Sequence, residues 1–443
     1  MRYPVPMAPT REFKKLFQAE DARPLALSLI LQIALAFPFG NLYDMRINMA
    51  AGYLVGTGQN PYIAQDLSAV FHNDSFRGLS TIGYPPPWTL FLGLIYKCVY
   101  AVFPNLIFFN GAIKIPIIAA NVCLAYLVAR VLVNLGTQAA VAVKARNFML
   151  LNPAVLLFSS AWGQIDSLVA FASLAALVLL NAKKPVGSAI LLALAISMKP
   201  IALPLAPAVF VYLLQKGKRK TLWYFSVFFM GCLVFCALPF IVFGWDPVVI
   251  FRNWNAHFIV AGCMSFMSIS EIWNPHFQLT GAGRLLGMVW APALLCISVH
   301  FLRLKITGLK NLLKMCAAMI LVFFLTRTWL SGPNILLLLP IVLILVSIGE
   351  LNRVFLTLLW GSALGFALLN NSIAALLFPT LPDIMNAALA FGNEYRFIRL
   401  TARTIVIIPW FIAGWRIVLS VRDNKSFLPD NPDSREIRLK AST

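Results

Sequence analysis

Asp44 lies directly after the first apolar run of the chain, in Asn41-Leu-Tyr-Asp-Met-Arg46. A carboxylate fixed there by a helix end, at the edge of a membrane, is partly stripped of water and suited to take a proton from a hydroxyl. A helix-end charge paired with Arg46 is the plainer alternative. Three cations lie at other breaks or ends of apolar segments: Lys114 in Ile-Lys-Ile-Pro, Lys199 in Ser-Met-Lys-Pro, and Arg327 in Leu-Thr-Arg-Thr-Trp-Leu-Ser-Gly-Pro-Asn. Gathered at low dielectric they suit a phosphate, Arg as a bidentate donor and Lys as a point charge; one alone would be a snorkelling side chain. Trp162-Gly-Gln-Ile-Asp166 adds an amide, Gln164, and a carboxylate, Asp166, which could hold a cation or a sugar hydroxyl, or simply cap a helix. His257 and His276 flank Glu271 at spacings that match no zinc-helix motif, so no metal is expected. No phosphate-cradling glycine loop of the nucleotide-binding kinds is present, and no cofactor is expected.

The elements that must position these side chains are membrane helices. Of 443 residues, 60% are hydrophobic and only 12% charged, against roughly 25% charged in a soluble domain. Apolar runs of about 20 residues recur from Pro24 to Val421. The excess of 36 Lys and Arg over 16 Asp and Glu falls mainly in short connections between those runs, which is the positive-inside pattern and not a nucleic-acid footprint. Six of the seven cysteines lie inside apolar segments, so a disulfide framework is not expected.

Clear spans are 24–42, 88–104, 117–135, 222–243, 286–304, 312–330, 333–349, 353–377 and 402–421. Three longer stretches, 105–135, 147–182 and 187–214, are interrupted at Lys114 with Pro116, at Trp162–Asp166, and at Lys199 with Pro200. Reading each interruption as a turn at the outer face predicts an all-α polytopic membrane protein of about 11–14 segments, some short or broken, with both termini inside. Two long segments, 43–87 and 244–285, then become outer loops, and 378–401 a shorter one. The outer face collects Asp44, Arg46, Asp66, Asp74, Arg77, Lys114, Gln164, Asp166, Lys199, Asp246, Arg252, His257, Glu271, His276 and Arg327. Charges that persist at such depth are candidates for function. The expected organisation is a cytosolic arm (1–23), a catalytic module (24–215), a C-terminal transmembrane module (216–421) and a cytosolic tail (422–443).

Several segments together resemble the GT-C superfamily of integral-membrane glycosyltransferases that use polyprenyl-phosphate sugars. Asp44, then Gly56-Thr-Gly-Gln-Asn-Pro-Tyr62 and Gly83-Tyr-Pro-Pro-Pro-Trp88, are similar to the acidic residue, the G-x-x-PY element and the second-helix start of bacterial polyprenol-phosphate-mannose mannosyltransferases and the GPI mannosyltransferase catalytic subunit. Asn152-Pro153 leading to Trp162–Asp166, then Lys199-Pro200, resembles the fourth-to-seventh-helix region of the same families, and Arg327–Asn334 their C-terminal arginine element. The resemblance implies Asp44 as general base and Lys199 and Arg327, with Lys114, around the donor phosphate. Arg46, Tyr62, Gln164, Asp166, His257, Glu271 and His276 would bind substrate or support the site. Several relatives carry a second acid where this chain has Arg46, which points to a metal-independent reaction. The implied activity transfers mannose or glucose from a polyprenyl-phosphate donor to a glycolipid or lipid-linked acceptor, at the extracytoplasmic face of a bacterial plasma membrane. A transporter or flippase of lipid-linked sugars and a glycan-repeat polymerase or ligase are the rival readings.

Overall fold

The computed structural model describes residues 22–252, 262–274, 278–304, 306–370 and 372–422, and these form a helical bundle. Among the described residues, six helices are long and apolar enough to cross a bilayer, and six shorter apolar helices accompany them. The long helices include α4 (Leu106–Asn134), α9 (Arg219–Val242), α11 (Gly308–Thr326) and α15 (Arg396–Arg422). The shorter ones include α1 (Ala22–Ala36), α6 (Asp166–Asn181), α7 (Pro185–Met198), α8 (Leu205–Gln215), α12 (Ile335–Ser347) and α13 (Arg353–Leu369). Between them lie α5 (Ala139–Leu151), extended through a π-helical turn at Leu156–Ala161, and α10 (Trp290–Leu302). Helices α11 and α12 are buried along nearly their whole length and form the spine, whereas α9 leaves Trp223, Phe235 and Ile241 uncovered for lipid.

Two of the three interruptions expected from sequence are real. Pro200 disfavours the helical conformation at the residue before it, and here Lys199 is extended, with φ −152° and ψ 117°, so α7 stops at Met198. The second break, at Trp162–Ile165, turns on Gly163, whose φ of +93° is costly for any residue with a Cβ. A Cβ there would also stand 2.4 Å from Met45 Sδ and 2.9 Å from Lys114 Cε. Irregular backbone at membrane depth is tolerated only inside protein, and all four residues of this turn are buried.

The third interruption does not occur: α4 runs unbroken from Leu106 to Asn134 through Lys114 and Pro116. Nor is 88–104 a span. Residues Leu42–Gly56 form α2, and Pro86–Ile95 form α3, which continues as a π turn to Tyr100. The pairs Trp88 with Asn48, Leu92 with Gly52 and Tyr96 with Gly56 show that α2 and α3 run in parallel. Lys114 is level with the end of α1, Phe109 packs on Gly52 and Tyr100, and Asn121 lies deeper, bonded to Gln32. The first turns of α4 therefore project beyond α1, with α2 and α3 standing around them at one end of the bundle. Segment 43–87 is thus largely a packed subdomain and not an open loop. Dropping one pair of crossings leaves the expected side of every later connection unchanged.

Farther on, Gly262–Cys263 (β1) pairs in parallel with Trp329–Leu330 (β2), and Pro382–Glu394 forms α14 before α15 begins at Arg396, six residues ahead of the expected span. Gly163→Ala should lower the thermal unfolding midpoint in detergent, by a loss of about 1–3 kcal/mol for the forced backbone alone; an unchanged midpoint would show that the turn does not depend on glycine.

Candidate active site

The break after the π turn gathers the site from three directions. Asn41 caps α2, its side chain accepting from the N–H groups of Tyr43 and Asp44, and its own N–H donates to the Trp162 carbonyl at 3.1 Å. This fixes Asp44 in the first turn of α2, where the helix dipole favours a carboxylate. The Trp162 indole N–H donates to Asp44 Oδ2 at 2.5 Å. Oδ1 accepts from none of the described residues, so half-buried Asp44 keeps one oxygen free.

Two residues on, Gln164 Oε1 accepts from the Lys199 ammonium at 2.9 Å and from the Tyr84 hydroxyl at 3.2 Å. Lys199 Nζ also donates to Asp166 Oδ2 at 2.6 Å, in an ion pair whose acid is fully buried and whose base is 12% exposed. The ammonium lies 5.7 Å from the centroid of the Tyr84 ring. Burial raises the Tyr84 phenol to about 12, with Lys199, Asp44 and Asp166 all acting on it, so it remains a hydrogen-bond donor near neutral pH. Asp166 lies inside the first turn of α6 and makes no cap, and its Oδ1 is buried without a hydrogen-bond partner. Asp44, Gln164, Asp166 and Lys199 thus lie together around the turn Trp162–Ile165.

Lys114 does something else. Its ammonium donates to the carbonyls of Ala36 and Ala161, each at 3.0 Å, and to that of Phe39. All three protons are spent on main-chain carbonyls, two of which, Ala36 and Phe39, also accept from Asn110 Nδ2, and the side chain is fully buried. It ties the end of α1 to the π turn and has no proton left for a phosphate. Arg46 likewise does not pair with Asp44; it donates to the carbonyls of Leu42, at 2.8 Å, and Ser75, pinning the outer segment onto α2. The Tyr62 hydroxyl is buried and donates to the Tyr84 carbonyl at 2.9 Å, with its ring against Phe240 and Trp245. It supports Tyr84 from behind.

Arg327 ends α11, is 9% exposed, and stacks its guanidinium 5.0 Å above the Phe323 ring. Its carbonyl accepts from Ser265 Oγ at 2.7 Å, and the following strand carries Gly332 onto Phe158 of the π turn. The arginine element therefore borders the turn that holds Asp44. Glu271 pairs with Arg403 at 2.9 Å. His257 and His276 lie outside the described residues.

Sequence reasoning passed over Trp162 and Tyr84 as site residues, although both stand in quoted motifs. It also passed over Arg396, Arg399 and Arg403, because the last span was begun at residue 402. Their i, i+3, i+7 spacing on one helix face was the available signal.

Lys114→Met should cost stability more than ligand binding. Three carbonyls lose a charged donor, at about 1.5–3 kcal/mol each, so the thermal midpoint should fall while phosphate-lipid affinity per folded molecule stays the same. A selective loss of affinity would restore Lys114 to the site.

Comparison with known proteins bears on this arrangement. Residues 83–270, somewhat under half of the chain, match the family model described as Glycosyltransferase family 87. That segment carries Tyr84, Trp162–Asp166 and Lys199, whereas Asp44 and Arg327 lie outside it. No curated protein matches the sequence. Among solved structures the chain is similar to ArnT from Cupriavidus metallidurans, crystallised with undecaprenyl phosphate. The TM-score is 0.51 at 12% identity, over 91% of this chain and 77% of that one. At that identity the likeness speaks for the fold. With the family 87 segment at its centre and this bundle around it, the chain is an integral-membrane glycosyltransferase of the GT-C fold.

Proposed function

We propose that the protein is an inverting glycosyltransferase that moves one hexose, mannose or glucose, from a polyprenyl-phosphate donor to a glycolipid or lipid-linked glycan. The observation that carries the reading is the free Oδ1 of Asp44, held by the Trp162 indole beside the Lys199–Asp166–Gln164 cluster. ArnT, the similar fold, binds undecaprenyl phosphate, a lipid of the same chemical class as the proposed leaving group.

In this reading Asp44 Oδ1 accepts the proton of an acceptor hydroxyl as its oxygen bonds to the anomeric carbon. The bond from that carbon to the phosphate oxygen breaks on the opposite face, and the polyprenyl phosphate departs with the electron pair. Attack and departure on opposite faces invert the configuration. The leaving group is stable as an anion, so the protein needs no acid, only cations to meet the developing charge. Lys199 and Arg327 supply them; Asp166 and Gln164 fix the Lys199 ammonium, and Phe323 supports the Arg327 guanidinium.

Charge distribution supports an extracytoplasmic site. The end of the bundle opposite the site carries Lys144, Arg146, Lys183, Lys184, Lys216, Lys218, Arg219, Lys220, Arg303, Lys310, Lys314 and Arg353, the enrichment expected of cytosolic connections.

Asp44→Asn should leave folding and donor binding intact and reduce transfer by at least about 10³-fold, within the range that a lost general base costs and beyond a loss of hydrogen bonding. Substantial transfer by that variant discards Asp44 as the base. Lys199→Ala should weaken donor binding and, by stranding buried Asp166, lower stability by about 3–5 kcal/mol. Lys199→Arg, which keeps the charge, should recover stability before it recovers transfer. Donor titration and thermal unfolding separate these effects.

A further inference from the structure

Arg396, Arg399 and Arg403 project from the first two turns of α15 at a spacing that places them along one face. Arg403 Nη2 pairs with Glu271 Oε2 at 2.9 Å, and Arg396 Nη2 reaches the Glu271 carbonyl at 3.4 Å. Arg399 Nε donates to the Gly392 carbonyl at 3.0 Å. Asn370 Oδ1, at the end of α13, accepts from Arg399 Nη1 at 3.2 Å and from Arg403 Nη1 at 3.4 Å. Glu271 is the one carboxylate paired with this trio among the described residues, so two positive charges stand unmatched. Arg403 is 3% exposed, and its Nε is buried with no hydrogen-bond partner. A buried guanidinium N–H left without an acceptor is costly, and an anion is the ligand that would complete it.

The trio stands on the Asp44 side of the site. Arg399 is within electrostatic reach of Tyr43, the residue preceding Asp44. The thiol of Cys263 in β1, raised to about 12 by burial, feels Glu271, Arg403 and Asp44 together. Ring contact between Phe266 and Phe411 packs the β1 segment onto α15. The charge balance also differs from that of the first cluster: Lys199 is already matched by Asp166, whereas the trio holds spare charge in a bidentate form suited to phosphate oxygens.

We propose that Arg396, Arg399 and Arg403, with Asn370, form a second anion seat that takes the phosphate of a lipid-borne acceptor. The assignment to the acceptor rests on the glycosyltransferase reading above. In that reading the donor phosphate departs onto Lys199 and Arg327, so a second phosphate seated on the trio belongs to the molecule that brings the hydroxyl. The seat itself, as a site for a phosphate on a lipid, rests on geometry and charge alone.

The test measures binding to the purified full-length protein, wild type and Arg399→Gln, with phosphatidylglycerol, diacylglycerol and undecaprenyl phosphate as probes. Arg399 is half-buried and outside the Glu271 ion pair, so its replacement should fold; Arg403→Lys, which keeps charge but loses the fork, is the second variant, and unfolding midpoints are measured for both. Wild type should prefer phosphatidylglycerol over diacylglycerol, and Arg399→Gln should lose phosphatidylglycerol affinity by about tenfold, the scale of one charge-assisted contact. Undecaprenyl phosphate should bind both proteins within about twofold. Equal binding of phosphatidylglycerol by wild type and both folded variants overturns the seat. A selective loss of undecaprenyl phosphate instead overturns its assignment to the acceptor. If undecaprenyl phosphate binds neither protein while the phosphatidylglycerol difference persists, the donor reading fails and the seat stands.

Discussion

Backbone broken at membrane depth must be satisfied from inside the protein, and the turn Trp162–Ile165 is where this chain meets that demand. Lys114 gives its protons to the carbonyls at the end of α1 and of the π turn, Asn41 docks on the Trp162 carbonyl, and Gly163 lets Met45 and Lys114 approach the main chain. The same turn then holds the chemistry, with the indole of Trp162 on Asp44 and the amide of Gln164 on Lys199. Positioning of the Asp44 carboxylate and of the Lys199 ammonium is therefore a consequence of closing one break in a helix. The short helices α6 and α7 end in this cluster, at Asp166 and Met198, because the site occupies the depth that their missing turns would have filled.

Charge at this end is apportioned between groups that build and groups that remain open. Lys114 and Arg46 have their donors committed to carbonyls, which makes them fasteners. Lys199 is neutralised by Asp166 and held still, so an arriving phosphate competes for a cation already oriented. The arginines of α15 carry more charge than their single carboxylate answers. The proposed reaction asks for both, a poised cation where a leaving group forms and a spare one where a second anion docks.

Much of this was legible in the sequence where local chemistry decides the conformation. Pro200 stops α7 and leaves Lys199 extended, and the Trp-Gly-Gln-Ile-Asp motif makes a turn because glycine takes the positive φ. The same reasoning misplaced Lys114 because Pro116 also looked like a breaker. In α4 the proline is absorbed within a 29-residue helix, and the lysine beside it is turned inward by tertiary carbonyls that no window of sequence displays. Residues 43–56 read as part of an outer loop since their apolar content is diluted by Tyr43, Asp44, Arg46 and Asn48. Those side chains serve a helix buried against α3, with Asn48 bonded to Trp88 across the pair. The arginines of α15 escape a hydropathy reading because its boundary falls within their row, six residues into the helix, with a large chemical consequence.

The proposed chemistry depends on where a donor lies relative to Asp44. A structure of the protein with a non-transferable polyprenyl-phosphonate hexose would settle it. The anomeric carbon should face Asp44 Oδ1 across the space of one hydroxyl, with the phosphonate on the far side against Lys199. A sugar seated away from α2, or a phosphonate lying between Asp44 and the anomeric carbon, would contradict the proposed chemistry.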